Sequence, residues 1–128
     1  MKLAVKRSVI CLSATALVGV ICASTLANAH AILVRSTPKD GEAVQSPVAK
    51  VEVWYDAPIG GAMAALSVTD ASGARVDKRD AAIDRSDGAH VTTSVEAAKA
   101  GEYTVRYRAI SADGHIVTGL YHFSVTGQ

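Results

Sequence analysis

The fold of this chain follows from one stretch of eight residues, Glu102-Tyr103-Thr104-Val105-Arg106-Tyr107-Arg108-Ala109. Polar and apolar side chains alternate along it. Because successive side chains of a β-strand point to opposite faces of a sheet, this pattern predicts a strand with one buried and one solvated face. The side chains expected in the core are Tyr103, Val105, Tyr107 and Ala109.

Shorter segments with the same alternation lie on both sides of this stretch. Strands are predicted at residues 31–35, 50–56, 65–70, 90–95 and 116–126, with turn residues between them. Residues 78–87 are charged and expected to be solvated, and residues 97–100 are too few for more than a helical turn. About seven short strands and no long helix predict an all-β, antiparallel β-sandwich with an immunoglobulin-like architecture.

The first 29 residues have the three-part order of a secretory signal peptide. A basic segment at residues 2–7 precedes an apolar run at residues 9–21, and small residues end at Ala27-Asn28-Ala29. We expect cleavage after Ala29, which makes residues 1–29 a signal peptide and residues 30–128 the mature domain. The alternative is an uncleaved membrane anchor, but Asn28 and the Ala-x-Ala site favour cleavage.

The predicted mature chain is one small domain of 99 residues, the 128 of the chain less the 29 of the signal peptide. Three basic residues leave with the signal peptide, so ten basic against 12 acidic side chains give a net charge of −2. This balance implies no nucleic-acid surface. Both cysteines, Cys11 and Cys22, also leave, so neither a disulfide nor a thiolate metal site is expected.

Two positions of the predicted mature chain carry chemistry that a metal ion could use. His30 would offer both its α-amine and its imidazole at a free amino terminus. In Asp113-Gly114-His115, a carboxylate and an imidazole two residues apart project to the same side of an extended chain. By itself, however, Asp-Gly between two strands is also a common hairpin turn, and His115 is then a surface residue.

The sequence resembles the CopC family of periplasmic copper-binding and copper-resistance proteins. The resemblance rests on residues 30–41, which begin His30-Ala31-Ile32-Leu33, and on residues 53–59, 101–107, 111–119 and 123–125. These stretches span nearly all of the predicted mature chain. Its two ends are specific to the family, whereas the middle is general for β-sandwiches.

This resemblance implies a seven-stranded Greek-key sandwich with a Cu(II) site at one end. The metal ligands would be the amine and imidazole of His30, the carboxylate of Asp113 and the imidazole of His115. Three nitrogens and one oxygen suit the tetragonal preference of Cu(II). The expected protein is a periplasmic monomer without catalytic activity that buffers copper or delivers it to an inner-membrane copper transporter or another periplasmic copper protein.

The sequence departs from the family pattern at two positions. Some members bind Cu(I) through a methionine-rich loop, but Met63 is the only methionine of the predicted mature chain, so no Cu(I) site is expected. Ala57 stands where the family usually has a glutamate, and the carboxylate of that position is lost unless Asp56 replaces it. His122, beside Phe123, is expected to face outward, and His90 has no partner near it in sequence; both are left out of the site.

Two other functions compete with copper binding. Copper oxidases and polysaccharide mono-oxygenases also pair an amino-terminal histidine with a second histidine, but Asp113 would occupy the position that those enzymes keep open. A metal-free immunoglobulin-like interaction module is the remaining alternative. It requires that His30 and Asp113-Gly114-His115 occur together by coincidence.

Overall fold

The structure, a computed structural model, describes residues 32–45, 47–60, 64–96 and 99–127. The predicted signal peptide, His30 and Met63 lie outside the described residues. Within these ranges there are eight strands: β1 (Leu33–Thr37), β2 (Ala43–Val44), β3 (Lys50–Tyr55), β4 (Ala65–Asp70), β5 (Ala82–Ile83), β6 (His90–Ser94), β7 (Gly101–Ile110) and β8 (Ile116–Val125). Across the described ranges, no helix is long and apolar enough to cross a bilayer.

The strands form two four-stranded sheets that pack into a Greek-key sandwich. One sheet has the order β1-β3-β6-β5 and is antiparallel throughout, and the other has the order β2-β8-β7-β4. The second sheet is mixed, because β2 runs parallel to β8. Its centre is the long β7–β8 hairpin, paired from Gly101↔Val125 to Ile110↔Ile116.

The core contains the side chains that the alternation predicted. Val51, Val53 and Tyr55 of β3 are buried, as are Tyr103, Val105 and Ala109 of β7 and Tyr121, Phe123 and Val125 of β8. Tyr107 is half-buried and meets Tyr55 of the opposite sheet edge-on, with ring centroids 6.2 Å apart. Burial, and then the nearby Tyr107, raise the pKa of Tyr55 to about 12, so its hydroxyl stays neutral in the interface between the sheets.

The differences from the predicted strands are confined to short segments. The first strand begins at Leu33 and continues to Thr37, and Ala31 lies outside the described residues. Residues 78–87 contain the two-residue strand β5, which pairs Ile83 with Val91. A solvated segment had been expected there, because charged residues flank a pair too short to show alternation. Residues 97 and 98, within the predicted helical turn, are also outside the described residues.

Candidate metal site

The predicted ligands Asp113 and His115 lie in the turn between β7 and β8. The turn closes through two backbone hydrogen bonds, from the Ser111 N–H to the His115 carbonyl and from the Gly114 N–H to the Ser111 carbonyl, both 2.9 Å long. Gly114 has a φ of 84°, which a residue without a side chain adopts at little cost. The hairpin interpretation of Asp113-Gly114-His115 is therefore correct as a description of the backbone.

The same turn also brings the two side chains together. The His115 Nδ1 lies 2.8 Å from the Asp113 Oδ2. The imidazole is 62% exposed and the Asp113 side chain 24% exposed, so both reach the surface at this end of the sandwich. A turn and a paired carboxylate and imidazole coexist here, and the two readings of the motif do not exclude each other.

Ser111 contacts Asp113 from the buried side of the turn. Ser111 is 2% exposed, and its hydroxyl donates to the Asp113 Oδ1. The His115 N–H also donates to the Asp113 Oδ1, at 3.3 Å. No role was predicted for Ser111 from the sequence, although a serine two residues before the aspartate projects to the same side as the pair.

Asp113 is held in its charged form. The hydrogen bond from the Ser111 hydroxyl, followed by the contacts with His115, outweighs the opposing effect of partial desolvation and lowers the pKa of Asp113 to about 2. A carboxylate that is already ionised needs to lose no proton before it binds a cation.

The hairpin is tied to the loop that follows β3. Ile59 forms a bridge with Ser111, and the Gly60 N–H donates to the Ile110 carbonyl at 2.7 Å. Ile59 is itself buried and donates its N–H to the Gly88 carbonyl at 3.1 Å. These contacts connect the Asp113–His115 pair to the other sheet, so its position does not depend on the hairpin alone.

Asp56, at the end of β3, holds the start of the described N-terminal segment. The Ile32 N–H donates to the Asp56 Oδ1 at 2.8 Å, and the Asp56 N–H donates to the Ile32 carbonyl at 2.9 Å. Asp56 therefore supplies a carboxylate next to Ala57, where the resemblance leads us to expect a glutamate. This carboxylate contacts the backbone of Ile32, two residues after His30.

The metal-binding set predicted from the sequence is complete only with His30. Within the described part of the chain, no group of three or more His, Cys, Asp or Glu side chains could hold a metal ion. The Asp113–His115 pair nevertheless fits such an ion. The His115 Nδ1 and the Asp113 Oδ2 lie 2.8 Å apart, which is a hydrogen-bond distance. Two adjacent donor atoms of a square-planar metal, each ~2.0 Å from the ion, are also ~2.8 Å apart.

His90 lies on the outer face of the first sheet and is part of another cluster. Its ring stacks on Trp54, with centroids 4.3 Å apart, and its Nε2 lies 3.1 Å from the Glu52 Oε1. The Arg35 guanidinium covers the other face of Trp54 at 3.8 Å. The partner of His90 could not be predicted from the sequence, because Glu52 is 38 residues away along the chain.

His122 faces outward on β8, as expected from the burial of Phe123. Its Nδ1 lies 3.0 Å from the Thr104 Oγ1 across the hairpin. Seven residues separate it from His115, which corresponds to ~24 Å along an extended strand. His122 is therefore not part of the cluster at the turn.

Similarity to known proteins covers most of the chain. The CopC domain family matches residues 33–126. The protein named "Copper transport protein CutJ" from Bacillus subtilis (strain 168) is 33% identical over 100 residues, which are 76% of this chain. The aligned region spans only 18% of the length of that relative.

Two solved structures share the fold over nearly their whole length. CopC from Methylosinus trichosporium OB3b superposes with a TM-score of 0.72 and 27% identity, covering 77% of this chain and 96% of the other. PcoC from Escherichia coli, described as a methionine-rich copper resistance protein, superposes with a TM-score of 0.66 and 28% identity, covering 76% and 99%. The present sequence, in contrast, has two methionines in all.

Proposed function

Because this chain belongs to the CopC family, we propose that it is a periplasmic protein that binds Cu(II) and buffers it or delivers it to another protein. The predicted mature domain comprises residues 30–128. The proposed ligands are the α-amine and imidazole of His30, the carboxylate of Asp113 and the imidazole of His115.

The observation that carries this proposal is the Asp113–His115 pair. A carboxylate oxygen and an imidazole nitrogen lie 2.8 Å apart at the exposed end of a hairpin. Ser111 and the Ile59 bridge hold that hairpin from the buried side. A rigid pair of donors favours metal binding, because little conformational entropy is lost when the ion arrives.

The described start of the chain supports the contribution of His30. Ile32 is fixed to the end of β3 by its two hydrogen bonds with Asp56. The loop after the same strand is bonded to the hairpin through Ile59 and Gly60. His30 is two residues before Ile32, so a signal peptidase cut after Ala29 would place a free amine within a short reach of this end of the sandwich.

The proposed set of ligands favours copper storage or transport over catalysis. Two donors from His30 with Asp113 and His115 would fill the four equatorial positions of Cu(II) and leave no open position for oxygen or a substrate. We therefore propose a non-enzymatic role. The partner would be an inner-membrane copper transporter or another periplasmic copper protein, in keeping with the occurrence of a similar region within CutJ, a copper transport protein.

The test is a Cu(II) titration followed by electron paramagnetic resonance on two versions of the mature domain. One version begins at His30, and the control has one additional residue before it, which removes the free amine of His30 but leaves every side chain in place. We expect tight one-to-one binding with a tetragonal, nitrogen-rich spectrum only from the version that begins at His30.

Equal binding by both versions would remove the amine from the ligand set, and the site would then consist of side chains alone. If neither version retains Cu(II) during dialysis against a weak chelator, the copper function is wrong. The metal-free interaction module would then be the better description of this domain.

A further inference from the structure

Within the described part of the chain, one edge of β8 is unpaired over half of the strand. β7 covers one side of β8 along its whole length. Among the described residues, the other side is covered only from His122 onward, by Gly41 and by β2. In an antiparallel ladder, the backbone groups of successive residues point alternately toward and away from the partner strand. The Ser111 N–H donates to the carbonyl of the odd-numbered His115. The backbone groups of the odd-numbered residues of β8 therefore point toward β7.

The even-numbered residues of β8 therefore direct their N–H and carbonyl groups away from β7. The hydrogen bond from the Ser124 N–H to the Glu42 carbonyl, 2.9 Å, and that from the Gly41 N–H to the His122 carbonyl, 2.7 Å, lie on this outer side. The corresponding groups of Ile116, Thr118 and Leu120 have no hydrogen-bond partner in the part of the chain that the structure describes.

The side chains along this edge do not protect it. Residues 116–120 read Ile-Val-Thr-Gly-Leu, without a charge or a proline, and Ile116 and Leu120 are 57% and 51% exposed. Exposed edge strands are usually blocked by charged residues, by proline or by a bulge, because an unblocked edge pairs with other chains. An edge that is open, apolar and regular is the kind to which an extended segment adds as a further strand.

We propose that residues 116–120, the β8 edge, bind an extended, acidic segment of the protein with which this domain exchanges copper. The identity of this partner rests on the proposed copper-carrying function. The β8 edge begins at Ile116, directly after the proposed ligand His115. A strand added there lies beside the hairpin that carries Asp113 and His115, where copper would be transferred.

The acidic character of the segment follows from the charges next to the edge. Arg106 pairs with Leu120 and Arg108 with Thr118, so both arginines lie on the outer face of the sheet, one strand away from the edge. Arg106 donates only to the Thr69 hydroxyl, at 3.3 Å, and neither arginine has an ion-pair partner among residues 32–45, 47–60, 64–96 and 99–127. An added strand would lie two strand spacings, ~10 Å, from β7. Carboxylates at its alternate positions would complement the long, exposed arginine side chains across β8.

The same charges argue against a second copy of this chain as the occupant. Two β8 edges that pair antiparallel about a twofold axis form one continuous sheet, and this brings Arg106 and Arg108 of both copies onto the same face. That face would carry four positive charges without a carboxylate between them. A second copy therefore supplies no carboxylate to these arginines, whereas an acidic segment does.

The experiment uses the mature domain that begins at His30 and a fluorescein-labelled, acetylated and amidated peptide of about seven residues, enough to span the edge at ~3.4 Å per residue. The peptide alternates Val and Glu, and a control peptide alternates Val and Lys. We expect saturable binding of the Val-Glu peptide by fluorescence anisotropy, at least about tenfold tighter than binding of the Val-Lys peptide.

Amide hydrogen exchange measured by NMR then identifies the edge. Bound peptide should protect the amides of Ile116, Thr118 and Leu120. Val117 and Gly119, whose amides already face β7, are internal controls and should not change. If the Val-Glu peptide does not bind, or binds without protecting these three amides, the docking edge is wrong.

Thr118→Pro tests the β8 edge by changing the protein instead of the peptide. Proline removes an N–H that no described residue uses, and edge strands tolerate it, so we expect at least about a tenfold loss of peptide affinity. Thr118→Val keeps the N–H and should bind as the parent does. Arg106→Gln/Arg108→Gln, which changes only exposed side chains, should reduce the preference for Glu over Lys, and an unchanged preference would overturn the acidic assignment.

Two further results separate this inference from its alternatives. If the amides of Ile116, Thr118 and Leu120 become protected in the free protein as its concentration rises, a second copy occupies the edge and the proposal is wrong.

Peptide binding is measured without copper, and copper binding is titrated separately without peptide. Loss of peptide binding with intact copper binding overturns the docking edge alone, whereas the reverse result overturns the copper function and leaves the edge in place.

Discussion

Asp56 and Ile32 are joined by two hydrogen bonds that run in opposite directions. The Ile32 N–H donates to the Asp56 carboxylate at 2.8 Å, and the Asp56 N–H donates to the Ile32 carbonyl at 2.9 Å. The second bond belongs to the backbone and survives any substitution except proline. The first depends on the side chain, so its contribution can be measured separately.

Asp56→Ala should weaken Cu(II) binding by about threefold to tenfold, the value of one hydrogen bond that fixes the segment leading to His30. Asp56→Asn keeps an oxygen acceptor at the same position and should bind copper nearly as the parent protein does. Competitive titration against a chelator of known affinity measures both variants. If Asp56→Asn is as weak as Asp56→Ala, the charge of Asp56 matters in its own right and the positioning role is incorrect.

Asp113→Asn should reduce Cu(II) affinity by about tenfold or more while leaving the folded state almost unchanged. The amide oxygen can still accept from Ser111 and from the His115 N–H, so the turn is preserved, but the negative charge that attracts the cation is lost. His115→Ala should also weaken binding strongly, because it removes a nitrogen donor.

The matched control for these two variants is His122→Ala, which removes an outward histidine from β8, the strand that follows the turn. Its copper spectrum should equal that of the parent. If instead Asp113→Asn unfolds the domain in a thermal melt, Asp113 serves the turn and its assignment as a ligand fails.

Gly119→Ala should destabilise the domain by about 1–3 kcal/mol, the usual range for overpacking. Tyr107 pairs with Gly119, and a β-carbon at position 119 would fall 2.5 Å from the Tyr107 Cζ. The Tyr107 ring cannot move away freely, because it also packs edge-on against Tyr55. Urea unfolding measures the change.

The control for Gly119→Ala is the same substitution made together with Tyr107→Ala. The effects of mutations on stability are not additive for residues in contact, so the added methyl group should destabilise the domain much less when the ring is absent. An equal cost in both backgrounds would mean that the β8 backbone, rather than the Tyr107 ring, excludes a side chain at this position.

Asp77→Asn should lower the free energy of unfolding by about 2–4 kcal/mol, because Asp77 is a buried carboxylate with several donors. Arg75 holds it with two bonds, 3.0 Å from Nε to Oδ1 and 2.6 Å from Nη2 to Oδ2, and the Val68 N–H donates to Oδ1 at 2.9 Å. Asp77 is 7% exposed. Urea unfolding at neutral pH gives the difference.

The same residue predicts a dependence of stability on pH. Burial alone would raise the pKa of Asp77, but the bonds from Arg75 and Val68 together lower it below its ordinary value of 3.8. A carboxyl whose pKa is lower in the folded state stabilises the fold above pH 3.8, and this contribution is lost as the pH falls below that value. Asp77→Asn should therefore show a shallower loss of stability in acid than the parent, and parallel curves would contradict this.

His90→Ala should destabilise the domain by about 0.5–1.5 kcal/mol and leave Cu(II) binding unchanged. It removes the ring stacked on Trp54, at a centroid distance of 4.3 Å, and a partner of Glu52. The two readouts, urea unfolding and copper titration, separate a structural role from a ligand role. Weaker copper binding at unchanged stability would instead assign His90 to the candidate site.

The sequence by itself determined the long strands and the side chains that fill the core. Alternation is local, because the direction of each side chain follows from its neighbours along the same strand. Val53, Val105 and Phe123 could therefore be assigned to the core, and the outward direction of His122 followed from the burial of Phe123. The chemistry of the turn was visible for the same reason, since Asp113 and His115 are two residues apart.

Only the tertiary structure decided which distant segments meet. The two-residue strands β2 and β5 exist because β8 and β6 provide partners, and residues 43–44 and 82–83 are too short to carry a pattern of their own. The pairs Asp56–Ile32, Glu52–His90 and Ile59–Ser111 depend on the register between strands. A register shift of one residue exchanges the two faces of a strand, and the packing of the whole core, rather than any local sequence, selects among the registers.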